Sequence, residues 1–314
     1  VNKPRLDPGR SQQVAKALQK YATSSRQTYL VEVNKLQIQS RTFLSQPNEE
    51  TLGNLRNQWL NTHRAFSQAQ FGLLSPPGEI NLPRTRIDTW PIQPGFIDDL
   101  EDYPLTGVVH DSMLDMTPQM LIAQHGVTSA EEVLLGFHGI ELLIFTRPLS
   151  DFEPGVSDWT HRRRMLLELM VDQLSIDANE SAKASSELFS TTEPNALIAI
   201  FLEQTLVRLR DIFRESNLVA AQGSGHCLSR ECSLDILHEE LIALERYMVG
   251  EVGVVEVFQE LDPATYKNFV QTIGGAADTV RQSDRDEVAL ANVPLILSAL
   301  THQVEAFVKL MDRE

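Results

Sequence analysis

The chain has 314 residues, 42% of them hydrophobic, which is enough for one large domain or two ordinary ones with a proper core. Its 43 acidic residues outweigh 27 basic ones, giving a net charge of −16 and a pI near 4.9. That balance argues against a nucleic-acid partner, which would call for concentrated Lys and Arg, and no apolar run reaches the roughly 18 residues of a membrane-spanning helix.

The N-terminus, VNKPRLDPGR, lacks the apolar core of a secretory leader, so the chain reads as cytosolic or as a mature form whose leader has been removed. From Ser11 to Leu44 apolar residues recur at three and four spacing (Val14, Leu18, Tyr21, then Leu30, Val33, Leu36), which predicts helix. QPNEE at 46–50 breaks the run, and Asn48 is the expected N-cap of a second helix through Phe71. Prolines 76, 77, 83, 91, 94 and 104 then forbid a long helix over 74–104. Loops of that length are uncommon in compact domains and are often functional. Helix is expected again from Thr128, with Thr128 or Ser129 as cap and Glu131 or Glu132 at the capping-box position, running through Ile144 and ending before Pro148. After the loop PLSDFEPGVSD, a helix from Asp158 carries Leu166, Leu169, Met170 and Leu174 on one face. Arg162, Arg163 and Arg164 at its start read as a solvated face.

Further helices are expected over 194–216, 230–249, 263–282 and 294–312, punctuated by Gly223, Gly225, the pair Gly274 and Gly275, and Pro294. The best strand candidate, VGVVEVF at 252–258, is short and lies between helices. The fold class is therefore all-α, in two helical bundles, since this many helices exceed one four-helix core. A boundary near Gly155 divides an N-terminal bundle, 1–155, from a C-terminal one, 156–314, with a single compact unit as the alternative. Cys227 and Cys232, five apart in GHCLSRECS, are a candidate disulfide in an oxidising compartment, or else two reduced thiols.

The stretch GFHGIELLIFTR, 136–147, places His138 and Glu141 on nearly one face of a helix. Its flanks are apolar nearly all round, so the helix is expected to be buried and its ionisable pair to need partners. Glu141 can hold the imidazole in one tautomer for purely structural reasons, or the pair can serve a metal or ligand. The Glu-x-x-His pair of di-iron bundles has the reverse order and needs a second copy, which is absent. The zinc-peptidase HExxH is absent too, since HEELI at 238–242 has Ile242 at the second histidine position. Gly136 and Gly139 each cost roughly 1 kcal/mol inside a helix, so close approach by a neighbouring backbone or a ligand is expected there. Histidines 63, 110, 125, 161, 226 and 302 show no metal-ligand spacing, and no Ser-His-Asp signature or phosphate-cradling loop is found.

The motif Gly136-x-His138-x-x-Glu141 resembles the GxHxxE motif of the imelysin-like proteins, the group of the insulin-cleaving metalloprotease and the iron-regulated envelope proteins. Three further stretches support the resemblance. THRAFSQAQF, with Arg64, resembles the family's first long helix. RIDTWPIQPGFIDD resembles the family's I-[DN]-x-W-P segment and carries Asp88, Trp90, Pro91, Ile97 and Asp98. CSLDILHEELIALERYMVG matches a C-F-S-D-x-T-H segment and its following helix at Cys232, Asp235, His238, Tyr247 and Gly250. The family's Ser and Thr in that segment are Leu234 and Leu237 here, without a hydroxyl.

The resemblance spans about 55–250 and implies two helical bundles with a site between them, export to the periplasm or outer envelope, often as a lipoprotein, and a link to iron uptake. It implies that the proline-rich loop delivers Arg86, Asp88 and Trp90 toward His138 and Glu141. The expected site residues are His138, Glu141, Asp88, Trp90, Arg64, Asp235 and His238. Each has a plainer reading, Trp90 as a packing anchor, Asp88 as a turn cap and Arg64 as half of an ion pair. A binding protein for a metal ion, iron or zinc, or for a small ligand is the favoured function. An interaction protein docking on an outer-membrane or envelope partner comes next. A metallopeptidase is disfavoured, because Glu141 cannot serve as both ligand and general base and the ligand count falls short without Asp88, Asp235 or His238.

Overall fold

The first helix is long because its apolar spacing never lapses. Val14, Leu18, Ala22, Tyr29, Val33, Leu36 and Phe43 are all buried and lay one stripe along α1 (Pro8–Ser45). Asn48 starts α2 (Glu49–Ala69), its Oδ1 accepting from the Thr51 amide at 2.9 Å. The computed structural model describes residues 6–78, 82–223, 225–284 and 286–311. Among these the regular structure is helical, with one isolated bridge, Leu100 to Tyr103, in place of any sheet.

Where prolines crowd the sequence the helices are short: α3 (Leu82–Ile87), α4 (Pro94–Ile97), α5 (Gly107–His110) and α6 (Pro118–Gln124). The helix expected from Thr128 begins only at α7 (Gly136–Thr146). Glu132 does accept from the Thr128 and Ser129 amides, at 2.8 and 3.2 Å, but these bonds close a turn. Leu135 is extended and Gly136 has a φ of 82°, which holds the helix off until that residue. α8 (Asp158–Thr191) starts where Asp158 predicts, and α9 (Pro194–Gln222) and α10 (Arg230–Met248) follow. The single helix expected over 263–282 is two, α11 (Pro263–Ile273) and α12 (Ala276–Ser283), parted at Gly274 and Gly275. α13 (Glu287–Met311) starts seven residues before Pro294 and keeps that proline inside it. The stretch VGVVEVF becomes a 3₁₀ turn, Val254–Phe258, whose Val254, Val255 and Phe258 serve burial instead of strand pairing.

The chain divides into two compact units, neither of them continuous in sequence. The first comprises Val1–Thr28, Arg64–Glu79 and Ala182–Glu314, and Gly155 lies within the second, Tyr29–His63 and Ile80–Ser181. In the first unit α9 packs on α13 and α10 on α12, around a core that includes Leu18, Phe71, Phe201, Tyr247, Phe258 and Phe307. The Tyr21 ring stands edge-on to Tyr247 at 4.7 Å, and Cys227 and Cys232 are bridged. In the second unit the fully buried residues include Trp59, Phe137, Leu143, Phe152 and Leu166, with Phe43 against Phe152 at 5.2 Å. Among the described residues no helix is long and apolar enough to cross a membrane.

Candidate metal centre

In the second unit every residue of α7 from Gly136 to Ile144 is buried. Its first residue must be glycine. With φ at 82°, a Cβ there would stand 2.3 Å from the carbonyl oxygens of both Arg86 and Ile87. The end of α3 therefore lies backbone to backbone on the start of α7, and the next residue, Asp88, reaches His138. Two further contacts hold this junction. Arg86 forks onto Asp177, with Nε 3.1 Å from Oδ2, and Gln173 donates to the same carboxylate at 3.0 Å. His125 Nδ1 accepts from the amides of Leu134 and Leu135 at 3.2 and 3.3 Å, groups left without helical partners at the start of α7. Burial, then the charge of Arg86, lowers the His125 pKa to about 4, so the ring stays a neutral acceptor.

Asp88 Oδ1 lies 3.2 Å from His138 Nε2 and 3.1 Å from His63 Nε2, while His138 Nδ1 lies 3.1 Å from Glu141 Oε2. Both histidine side chains are 0% exposed, Glu141 is 4% and Asp88 10% exposed. Aromatic rings fix the imidazoles. His63 is stacked on Phe137 at 4.3 Å, Trp59 stands edge-on to His63 at 5.1 Å, and Trp90 tilts against His138 at 5.1 Å. Trp59 Nε1 donates to the Phe137 carbonyl at 3.0 Å, tying α2 to α7. Burial, followed by the charges of Asp88 and Asp177, raises the Tyr29 pKa well above its ordinary value.

This arrangement constrains the protons. An ionised Glu141 only accepts, so His138 Nδ1 carries the hydrogen. Nε2 then carries a second proton, accepts one from the Asp88 carboxyl, or offers its lone pair to a cation held jointly with Asp88. Two donors on one ion at about 2.1 Å stand about 3.0–3.4 Å apart for bond angles of about 90–110°. The observed 3.1 and 3.2 Å fall in that interval. His63, Asp88 and His138 thus fit a metal ion as two imidazoles and one carboxylate, and their ligand atoms all lie within 4.8 Å of one another. Glu141 fits as the carboxylate that orients His138 from behind.

Of the residues expected from the sequence, the structure gathers His138, Glu141 and Asp88, with Trp90 against the ring. The others belong to the first unit. There Arg64 forks onto Asp235 at 2.6 and 2.9 Å, a pairing that raises the Arg64 pKa. His238 Nδ1 donates to the Ala277 carbonyl at 3.0 Å, and Nε2 accepts from Arg281 at 2.8 Å. His63 is the residue that spacing did not reveal. Its signal was position alone, a histidine on the buried face that Leu52, Leu55, Trp59 and Phe66 define on α2.

The sequence matches the family model for Imelysin over residues 17–226. No curated protein matches it. Among solved structures, a candidate iron-regulated protein A precursor from Parabacteroides distasonis ATCC 8503 is similar, with 12% identity, a TM-score of 0.75 and coverage of 99% of this chain and 97% of that one. An imelysin-like protein from Psychrobacter arcticum 273-4 shares 13% identity at a TM-score of 0.64, covering 96% of this chain and 95% of that one. At such identities the two structures speak for the fold alone, whereas the family model spans more than half of the chain and includes His63, Asp88, His138 and Glu141. The chain belongs to the imelysin family.

Proposed function

We propose that this protein is a metal-binding protein of the cell envelope that serves iron uptake, holding one divalent ion on His63, Asp88 and His138. The observation that carries the reading is the single oxygen, Asp88 Oδ1, standing 3.1 and 3.2 Å from two buried imidazole nitrogens, with Glu141 on the far side of one of them. Asp88 and Glu141 place two carboxylates among groups that are almost fully buried, where ionised groups need partners. A divalent cation would be one such partner. Arg86 lies near but is committed to Asp177. Two imidazoles and a carboxylate suit Fe²⁺ and Zn²⁺, and they leave coordination positions for water or a small ligand. Membership of the family favours a link to iron and a place in the periplasm or outer envelope. In this reading Glu141 is committed to His138 Nδ1, which leaves it poorly placed as the general base of a peptidase.

The test is metal analysis of the purified chain after separate incubation with Fe²⁺ and Zn²⁺, beside His138→Ala and Asp88→Asn. Each variant is expected to hold one ion fewer per chain than the wild type while keeping its helical circular dichroism. Equal metal content in all three proteins would overturn the assignment.

A further inference from the structure

A second group of donors lies in the same unit, outside the centre just described. Asp98 ends α4 and His110 ends α5, and the two short helices pack on each other. His110 Nε2 stands 3.2 Å from Asp98 Oδ1 and 3.6 Å from Asp99 Oδ1. The His110 side chain is 5% exposed, and Trp159 lies against its ring at 4.8 Å. Among the described residues neither ring nitrogen has a hydrogen-bond partner, although two carboxylate oxygens stand this close. An N–H that hydrogen-bonds a carboxylate points at the oxygen, whereas ligands of one ion point their lone pairs at a shared centre. Donor atoms at hydrogen-bonding distance without hydrogen-bonding direction fit the second arrangement.

The carboxylates of the group are held in place by arginines. Arg163 forks onto Asp98 at 2.5 and 2.9 Å, and Arg147 lies 2.9 Å from Asp99 Oδ1 and 2.7 Å from Asp151 Oδ2. Asp98, Asp99 and Asp151 thus share Arg147 and Arg163, while Arg162 is spent on the carbonyls of Val108, Val109, Asp111 and Leu114 beside His110. The Asp99 side chain is 25% exposed, which gives an ion a way in and leaves room for water to complete its shell. We propose that Asp98, Asp99 and His110 form a second divalent-cation site. Two carboxylates and one imidazole favour Mn²⁺, Fe²⁺ or Zn²⁺ over softer ions. The neighbouring guanidiniums repel a dication, so this is the weaker site of the two. It does not rest on the proposed function and stands or falls by itself.

The experiment counts Mn²⁺ bound to the full chain by the loss of the free-ion electron paramagnetic resonance signal. Two ions are expected on the wild type, one on His138→Ala and none on His138→Ala/His110→Ala, each protein being checked by circular dichroism. If His110→Ala fails to fold, Asp99→Asn in the His138→Ala background takes its place, since Asp99 is partly exposed and its loss empties no core. A second readout uses Co²⁺ quenching of tryptophan fluorescence. Quenching that persists in His138→Ala and disappears on further Trp159→Phe substitution supports the site, because Trp159 is the indole on His110. An ion count unchanged by His110→Ala or Asp99→Asn overturns it, as does a folded His138→Ala protein that binds no Mn²⁺. A single wild-type ion that is lost with His110 but kept without His138 would sink the first centre and leave this one standing.

Discussion

At the scale of single residues, Asp88 and Glu141 should part company. Asp88 touches both imidazole nitrogens that face the proposed ion, whereas Glu141 touches His138 at its far nitrogen. Orienting carboxylates behind a metal-bound histidine are worth about 10–100-fold in affinity. Calorimetric titration with Zn²⁺ should therefore show a drop of that size for Glu141→Gln and no measurable binding at this centre for Asp88→Asn. Equal, complete loss in both would make Glu141 a direct ligand. His125 gives a second residue-scale prediction, this time on stability. Its folded pKa is lowered to about 4 from an ordinary value of 6.5, so the unfolded chain takes up a proton first as the pH falls. Its contribution is complete above pH about 6.5, fades between there and about 4, and amounts to about 3 kcal/mol at most. Urea midpoints measured across that window should fall less steeply for His125→Asn than for the wild type. His138, Glu141 and Asp88 were legible in the sequence because a motif and a family segment mark them. His63 was not, because 25 residues of chain separate it from Asp88, and only folding α2 against the residue that follows α3 closes that gap.

At the scale of elements, the junction of α3 with α7 rests on one missing side chain. Gly136 combines a φ of 82° with a space where a Cβ would meet two carbonyl oxygens at 2.3 Å. Gly136→Ala should cost more than about 3 kcal/mol in urea unfolding, since left-handed strain and a backbone clash add at one site. It should also weaken metal binding, because Asp88 follows directly on the displaced carbonyls. Gly139→Ala is the control. That Cβ would sit 3.2 Å from the Leu134 oxygen, and the gain of about 1 kcal/mol in helix propensity offsets the squeeze, so its stability should change by less than about 1 kcal/mol. If both substitutions cost the same, the close approach at Gly136 is not what fixes the junction. The sequence announced a close approach at these glycines but could not say what approached, since the partner is a backbone some fifty residues away. It also ran α7 on backward to Thr128, because a capping box is built from the same bonds whether it opens a helix or closes a turn. The long helices were legible from periodicity. Breaks at Gly274 and Gly275 were visible as punctuation without being read as an end.

At the scale of the whole molecule, the excess of acidic groups raises the local concentration of cations around the protein, an effect that salt screens over a Debye length of about 8–10 Å. A boundary near Gly155 was a natural reading of a loop rich in turn residues. Local composition, however, carries no record of a chain that leaves a unit and returns to it. α1, α2 and α8 each contribute residues to both units, so no break in helical pattern marks the division. That division has a measurable consequence. Metal held by His63, Asp88 and His138 binds the folded second unit and stabilises it by about 2.7 kcal/mol at a hundredfold excess over Kd, which slows amide exchange through its opening by about a hundredfold. Hydrogen exchange with and without saturating Zn²⁺ should therefore show added protection in α7, in 29–63 of α1 and α2, and in the N-terminal turns of α8. The amides of α9 to α13 should be unchanged, since those helices belong wholly to the first unit. Protection rising equally along the entire chain would mean that the two units open as one cooperative body, and that the gain from the metal is shared by all of it.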